Sequence, residues 1–265
     1  MGNLSDTAIT IIGIAFITLA TTAGAALVFF FKHQLSNNFK RITLGFASGV
    51  MIAASVWGLL TPAIAEAENQ GMIGWIPAAV GFAGGGLILL LLDNLLPHLH
   101  VGEDHPEGLK SSMKRSTMLV FAVTLHNIPE GLAVGLAFGL AMQQGTTVGI
   151  MSAFGLAIGI GIQNFPEGAA ISLPLKQENM SNGKAFLYGS LSGIVEPVFA
   201  VVGLVLASQL TMIMPWFLAL AAGAMIYVVV EELIPEAHLG EHSNIGTIAV
   251  MIGFVVMMIL DVALG

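Results

Sequence analysis

The chain has 265 residues, of which 56% are hydrophobic and only 9% are charged; an ordinary soluble domain has about 25% charged residues. A soluble protein of this size needs a charged surface that this composition cannot supply. The net charge of −8 argues against nucleic acid as a partner, and the absence of cysteine excludes disulfides and thiolate metal sites. We therefore expect one membrane domain over 1–265, with room for roughly eight apolar spans.

Hydropathy predicts eight membrane-spanning helices in an all-α integral membrane domain. The predicted spans are Ala8–Phe31, Ile42–Ala63, Gly74–Leu96, Ser116–Met142, Thr147–Leu173, Ala185–Ala207, Pro215–Pro235 and Ile245–Leu264. Every Lys and Arg of the chain follows the first, third or fifth of these spans. Because positively charged loops are retained in the cytoplasm, this pattern predicts that both termini are extracytoplasmic.

The longest predicted loop, 101–115, joins the third and fourth spans on the cytoplasmic side. It contains Glu103, Asp104, His105 and Glu107, and His98 and His100 come just before it. A solvated polar loop is one interpretation of this composition. The other is a cytoplasmic loop that collects or senses metal ions.

The fourth and fifth spans contain the same motif, HNIPEG at 126–131 and QNFPEG at 163–168. His126 and Glu130 are four residues apart and share one helix face, and Gln163 and Glu167 repeat this spacing. Each proline frees the carbonyl four residues earlier, which a cation or a water molecule in a cavity can satisfy. Two such helices in opposite directions are typical of a binding site near the membrane midplane.

The sixth span adds a third acid, Glu196, near its middle. An ionised carboxylate at the bilayer centre costs ~2.5–3.5 kcal/mol, and no Lys or Arg lies in a predicted span to neutralise it. The counter-charge must come from bound protons or a bound metal ion. Three neutral, hydrogen-bonded carboxylic acids are the alternative without metal. His126 beside Glu130 favours metal, because imidazole, carboxylate and amide groups together suit zinc and its neighbours.

The paired motifs resemble the signature helices of the ZIP (Zrt/Irt-like) family of divalent metal transporters, and Gln163 is similar to the GufA-type branch. The resemblance implies eight helices in a 3+2+3 inverted-repeat arrangement, a homodimer, and a two-metal site at the midplane.

For the first metal position, the resemblance implies His126, Glu130, Gln163 and Glu167, with Met51 as an added thioether ligand. The alternative for Met51 is that it is one of 14 methionines in an apolar core. For the second position it implies the residues Asn127, Glu130, Asn164, Glu167 and Glu196, with the two motif glutamates bridging the metals.

Two departures from the family pattern weaken parts of this expectation. Some members carry Asp where this chain has Asn164, so the negative field at the second position is weaker here. Gln163 in place of His favours a broader range of divalent ions.

Four residues at the cytoplasmic ends of the third and seventh spans form a candidate exit relay: Asp93, His98, Glu232 and Glu236. Solvated charges at helix ends are the alternative for this group. Asp261, in the eighth span, has no assigned role.

The sequence thus predicts a transporter, not an enzyme, that moves divalent transition metals into the cytoplasm by alternating access. Zinc is the first candidate substrate, followed by cadmium, iron and manganese, and no cofactor is required. An intramembrane metallohydrolase is one alternative, although the chain lacks H-E-x-x-H. A proton-conducting or metal-sensing membrane protein is another. Short loops favour a plasma membrane, namely a prokaryotic inner membrane.

Overall fold

The structure is a computed structural model that describes residues 5–30, 36–96, 115–177, 180–238 and 244–264. Within these ranges every regular element is helical. We number the helical segments α1 (Asp6–Ala25), α2 (Asn37–Ala53, Ala54–Leu60 and Thr61–Asn69), α3 (Trp75–Leu95), α4 (Arg115–Gln144), α5 (Thr147–Gln177), α6 (Asn182–Ser192 and Val195–Gln209), α7 (Met214–Val228, Val229–Leu233 and Ile234–His238) and α8 (Ile245–Leu264). His98 and, except for Arg115, the predicted loop 101–115 lie outside the described residues.

Short polar residues set the starts of several helices. Ser5 and Ser36 are the N-caps of α1 and α2, and each side chain accepts a hydrogen bond from a backbone N–H three residues later, at 3.2 Å. At the start of α5, the Thr146 hydroxyl accepts from the Gly149 N–H at 3.1 Å. The tight turn between α4 and α5 contains Gly145 at φ +63°, a backbone conformation that glycine adopts without steric cost.

Seven helices in the described ranges are long and apolar enough to cross a membrane. Helix α4, which carries the first motif, is not one of the seven. The predicted ends also differ from the observed ones. The second predicted span, Ile42–Ala63, is helical over Asn37–Asn69, because hydropathy marks the apolar part of a helix and not its polar ends.

The helices form two groups by packing. The four most extensive pairs are α1–α5, α4–α6, α2–α8 and α3–α7. Further contacts join α1, α4, α5 and α6 into one bundle and α2, α3, α7 and α8 into the other. The two bundles meet chiefly where α4 packs on α7 and where α5 packs on α8 and α2. Both motif helices therefore lie at the boundary between the bundles.

Glycine accounts for the closeness of these four pairs. A Cβ atom at Gly24, Gly49, Gly85 or Gly135 would overlap a backbone carbonyl oxygen of the partner helix, at Phe165, Val250, Leu220 and Ala200 respectively. Small residues at such contacts let helix backbones approach one another in lipid. The 32 glycines of the chain are thus consistent with a packed membrane bundle instead of a loop-rich fold.

Candidate metal-binding site

Both motif helices continue through their internal prolines, Pro129 in α4 and Pro166 in α5. The polar motif residues are carried into the protein interior: Asn127 and Asn164 are fully buried, and Glu130 and Gln163 are each 2% exposed. The helices cross the region where the two bundles meet, so side chains of α2 and α7 complete the surroundings of the motifs.

A cavity of about 60 Å³, here called the inner cavity, lies against both motifs. All five residues of the predicted first metal position line it: Met51, His126, Glu130, Gln163 and Glu167. Glu232 and Glu236 of α7 line it as well, and much of the remaining wall is apolar, including Val123, Val228 and Leu233. The structure therefore brings the imidazole, two carboxylates, an amide and a thioether to one small chamber.

Several polar atoms at this chamber are paired with one another. The Gln163 amide Nε2 donates to Glu130 Oε1 and also to Asn164 Oδ1, the latter at 3.2 Å. His126 Nε2 contacts Glu232 Oε1. These contacts link α4 to α5 within one bundle and to α7 of the other bundle.

Three buried oxygen atoms of the motifs have no hydrogen-bond partner in the part of the chain that the structure describes. They are Asn127 Oδ1, Glu130 Oε2 and Glu167 Oε1. Buried polar oxygens without a donor are unfavourable and rare. Two of the three belong to carboxyl groups of the inner cavity, so this chamber is suited to a cation or a proton.

Glu196 belongs to a different environment, which we call the Glu196 cluster and define as Thr21, Asn127, Asn164 and Glu196. Thr21 Oγ1 donates to Glu196 Oε1 at 2.9 Å, and Asn164 Nδ2 donates to Glu196 Oε2 at 2.7 Å. Asn127 Nδ2 donates to the Ser192 carbonyl at 3.0 Å. Thr21, Asn127, Asn164 and Glu196 are fully buried, and together they tie α1, α4, α5 and α6 into one bundle.

Thr21 is a member of the Glu196 cluster that the sequence analysis missed. Its hydroxyl also donates to the Ile17 carbonyl of its own helix, at 3.3 Å, and threonines in membrane helices commonly do this. No sequence pattern distinguishes such a threonine from one that also bonds a buried glutamate on another helix.

The members of the candidate exit relay are separated. Glu232 lies in the π-helical segment Val229–Leu233 of α7, beside His126, and Glu236 lies on the inner cavity wall. Asp93 instead accepts a hydrogen bond from the Tyr227 hydroxyl at 3.1 Å and, among the described residues, does not line the inner cavity. His98 is not among the described residues.

The metal-ligand geometry is incomplete in one respect. Within the described ranges, no three His, Asp or Glu side chains are arranged so that they could hold a metal ion together. An ion in the inner cavity would therefore need amide or thioether ligands, or a shift of the present contacts.

Comparison with known proteins gives consistent matches. The family model "ZIP Zinc transporter" matches residues 100–261, more than half of the chain. "Zinc transporter ZIP11" of Homo sapiens is 38% identical, over 96% of this chain and 97% of that protein. "Zinc transporter GufA" of Myxococcus xanthus is 35% identical, over 95% of this chain and 98% of that protein. "Zinc transporter ZIPB" of Bordetella bronchiseptica is 37% identical, over 93% of this chain and 78% of that protein.

Proposed function

The chain belongs to the ZIP family of zinc transporters, and we propose that it moves divalent transition-metal ions, zinc first among them, into the cytoplasm. The family assignment confirms the resemblance found in the two motifs. The relatives are named as transporters, which argues against the metallohydrolase alternative. In this proposal zinc is the transported substrate and not a cofactor, with cadmium, iron and manganese as further candidates.

The inner cavity carries the proposal. It combines His126 with two glutamates whose oxygens Glu130 Oε2 and Glu167 Oε1 have no hydrogen-bond donor among the described residues. The predicted spans contain no Lys or Arg to neutralise them. Zinc takes nitrogen and oxygen ligands, and a divalent ion would supply the missing positive charge. Within this proposal, His126, Glu130, Gln163 and Glu167 replace the water shell of the ion, and Met51 adds a thioether.

Loading this first position requires two contacts to change. Gln163 now presents its amide nitrogen to Glu130, so its oxygen must turn toward the ion. His126 must exchange Glu232 for the metal. In both exchanges the divalent ion replaces a side-chain contact and supplies the positive charge that the buried carboxylates lack. Glu232 remains at the cavity wall, where it can receive the ion next, with Glu236 beyond it.

The second metal position is proposed as a weaker one. Its predicted ligands are Asn127, Glu130, Asn164, Glu167 and Glu196, but both oxygens of Glu196 already accept hydrogen bonds. An ion there must displace the amide of Asn164 from Glu196. We therefore propose that the first position carries the transported ion and that a second ion binds only at higher concentration.

Two cavities on either side of a buried layer support alternating access. A second cavity, of about 250 Å³, is lined by Trp57, Thr61, Gln144 and Ser152 at the end of the bundle where α4 and α5 are connected. Leu156 and Leu218, which are 1% and 0% exposed, lie at its wall. A Cβ atom at Gly58 would lie 3.0 Å from Leu156, so α2 and α5 are in close contact there.

We propose that transport moves the two bundles relative to each other. Four of the five residues of the first metal position lie on α4 and α5, and Met51 lies on α2 of the other bundle. A displacement of one bundle would carry the ion from the layer at Leu156 toward the end where Glu232 and Glu236 lie.

The wider organisation is proposed on the same basis. We propose eight spans in a 3+2+3 arrangement, with α4 as the eighth span, and a single domain over 1–265 with a cytoplasmic loop at 101–115. Lys40, Arg41, Lys176 and Lys184 lie at one end of their helices, which supports extracytoplasmic termini. The family resemblance supports a homodimer, and the short loops support a prokaryotic plasma membrane.

Metal uptake into proteoliposomes of the purified protein tests this function. We expect saturable zinc uptake that cadmium, manganese and iron inhibit to different degrees. Glu130→Ala should reduce uptake to the level of protein-free vesicles, whereas Glu68→Gln, an exposed acid at the end of α2, should not change it. If Glu130→Ala transports as well as the parent, the site assignment is wrong. Proton current without metal flux would favour the proton-conducting alternative, and metal binding without flux would favour a sensor.

A further inference from the structure

A third cavity adjoins the cavity of about 250 Å³ at the connected ends of α4 and α5. It has a volume of about 440 Å³ and shares Trp57, Gln144, Gly149 and Ser152 with the cavity of about 250 Å³. We call the two together the outer vestibule. Its wall includes one carboxyl group, that of Asp261 in α8, to which neither the motifs nor the proposed transport path gives a role.

Asp261 is buried without a partner. The residue is 6% exposed, and neither carboxyl oxygen has a hydrogen-bond partner in the part of the chain that the structure describes. An unpaired buried carboxylate is costly, and such groups in membrane helices are typical of ion pathways. The buried carboxyl group of Glu196 accepts hydrogen bonds from Thr21 and Asn164. Asp261 differs from it because no described residue donates to its carboxyl oxygens.

The sequence offers no basic side chain to pair with Asp261 on its side of the membrane. All eight Lys and Arg residues follow the first, third or fifth predicted span, which places them on the predicted cytoplasmic side, whereas Asp261 lies near the end of the last span. Of the seven histidines, His126 lies at the inner cavity, and the other six follow the first, third or seventh predicted span in the sequence: His33, His98, His100, His105, His238 and His242. On this predicted topology no Lys, Arg or His side chain is available to Asp261, so we expect its cation to come from the solution.

Two uncharged side chains with oxygen atoms line the same cavity as this carboxyl group. Gln144 supplies an amide oxygen and Ser152 a hydroxyl. The group is thus an all-oxygen set with one negative charge and no thioether or imidazole.

We propose that Asp261, with Gln144 and Ser152, forms an outer capture site that binds a hydrated divalent cation before it reaches the inner cavity. Oxygen ligands with a single charge bind a divalent ion through part of its water shell. Such a site is weak, and a weak site releases the ion toward the stronger inner position. The inference rests on the proposed function for the identity of the cation, which is the transported metal.

Equilibrium binding of cadmium to the full-length protein in nanodiscs tests the capture site. In the Glu130→Ala variant the inner position is disabled, and we expect a remaining weak site. Adding Asp261→Asn should remove that site, whereas adding Glu68→Gln should leave it. Equal cadmium binding by Glu130→Ala and by Glu130→Ala with Asp261→Asn would overturn the proposal.

Transport kinetics provide the second test and separate this proposal from the proposed function. Asp261→Asn should raise the KM for zinc uptake several-fold with little change in kcat, because capture is impaired while the inner position is intact. Gln144→Leu should raise KM to a smaller extent. If both variants keep the parental KM while Glu130→Ala is inactive, the capture site is wrong and the transport function stands. Since Asp261→Asn removes an uncompensated buried charge, its thermal stability should equal or exceed that of the parent.

Discussion

The inner cavity and the Glu196 cluster are neighbouring polar regions that the same two motifs build, yet they differ in how their carboxyl oxygens are satisfied. At the inner cavity, Glu130 and Glu167 each keep an oxygen without a hydrogen-bond donor among the described residues. In the Glu196 cluster both carboxyl oxygens of Glu196 accept from Thr21 and Asn164. A site that must exchange an ion needs the first arrangement, and a site that holds helices together needs the second.

The difference follows from the helix period. Residues four apart in a motif, such as His126 and Glu130, share the face that lines the inner cavity. The asparagine one residue after the histidine is rotated by about 100°, so Asn127 meets Ser192 in α6 instead. One short motif therefore supplies ligands on one face and an inter-helix contact on the adjacent face.

The largest expected effect on zinc uptake is the difference between a glutamate of the inner cavity, Glu167, and the glutamate of the Glu196 cluster. Glu167→Gln keeps the shape of the side chain but removes its charge, so we expect zinc uptake to fall to the level of empty vesicles. Glu196→Gln should retain measurable uptake, because the hydrogen-bonded cluster does not contact the first ion. Equal losses in the two variants, measured in the same proteoliposome assay, would remove the distinction between the regions.

A smaller effect, on metal affinity, is expected when His126 is replaced. His126→Ala should lower cadmium affinity by about tenfold or more, since even a group that only orients a metal ligand contributes ~10–100-fold. His126→Gln should recover part of the loss, because Gln163 occupies the matching place in the second motif. Isothermal titration measures both affinities; parental affinity in His126→Ala would show that the imidazole serves only to contact Glu232.

Thr21 should affect stability more than transport. Thr21→Val removes a buried donor to a carboxyl group, a change that costs about 1–3 kcal/mol, so the apparent melting temperature should fall while cadmium affinity stays parental. The matched control is Thr10→Val in the same helix, where the buried hydroxyl bonds only the Asp6 carbonyl, at 2.9 Å. A loss of cadmium affinity in Thr21→Val without destabilisation would place Thr21 in the metal site.

The smallest effect is expected at Met51. Met51→Leu conserves volume in a position that is 1% exposed, so zinc uptake should persist. The preference for cadmium over zinc should decrease, because a thioether is a soft ligand. Competition between the two ions in the uptake assay measures this ratio; an unchanged ratio would mean that Met51 is only part of the apolar core.

The sequence was most informative where chemistry repeats at helical spacing. A multi-pass helical membrane protein and the ZIP family followed from apolar segments and the paired motifs. The motif residues His126, Glu130, Gln163 and Glu167 do line one cavity, and their role as metal ligands stays a prediction. The sequence did not predict which helices pack against α1. Glycines such as Gly24 occur throughout the chain, and only the packed structure shows which of them contacts another helix. The π-helical segment that brings Glu232 to His126 was also missed, because an extra residue in a helical turn leaves hydropathy unchanged.

Anomalous diffraction from zinc-soaked crystals of the protein would test the central claim most directly. The claim is that buried carboxyl oxygens without donors, beside His126 and Gln163, hold the transported ion. We predict one strong zinc peak in the inner cavity, within bonding distance of His126, Glu130 and Glu167, and a weaker or missing one at Glu196. Zinc peaks confined to the Glu196 cluster or to the helix ends, with none in the inner cavity, would contradict the account.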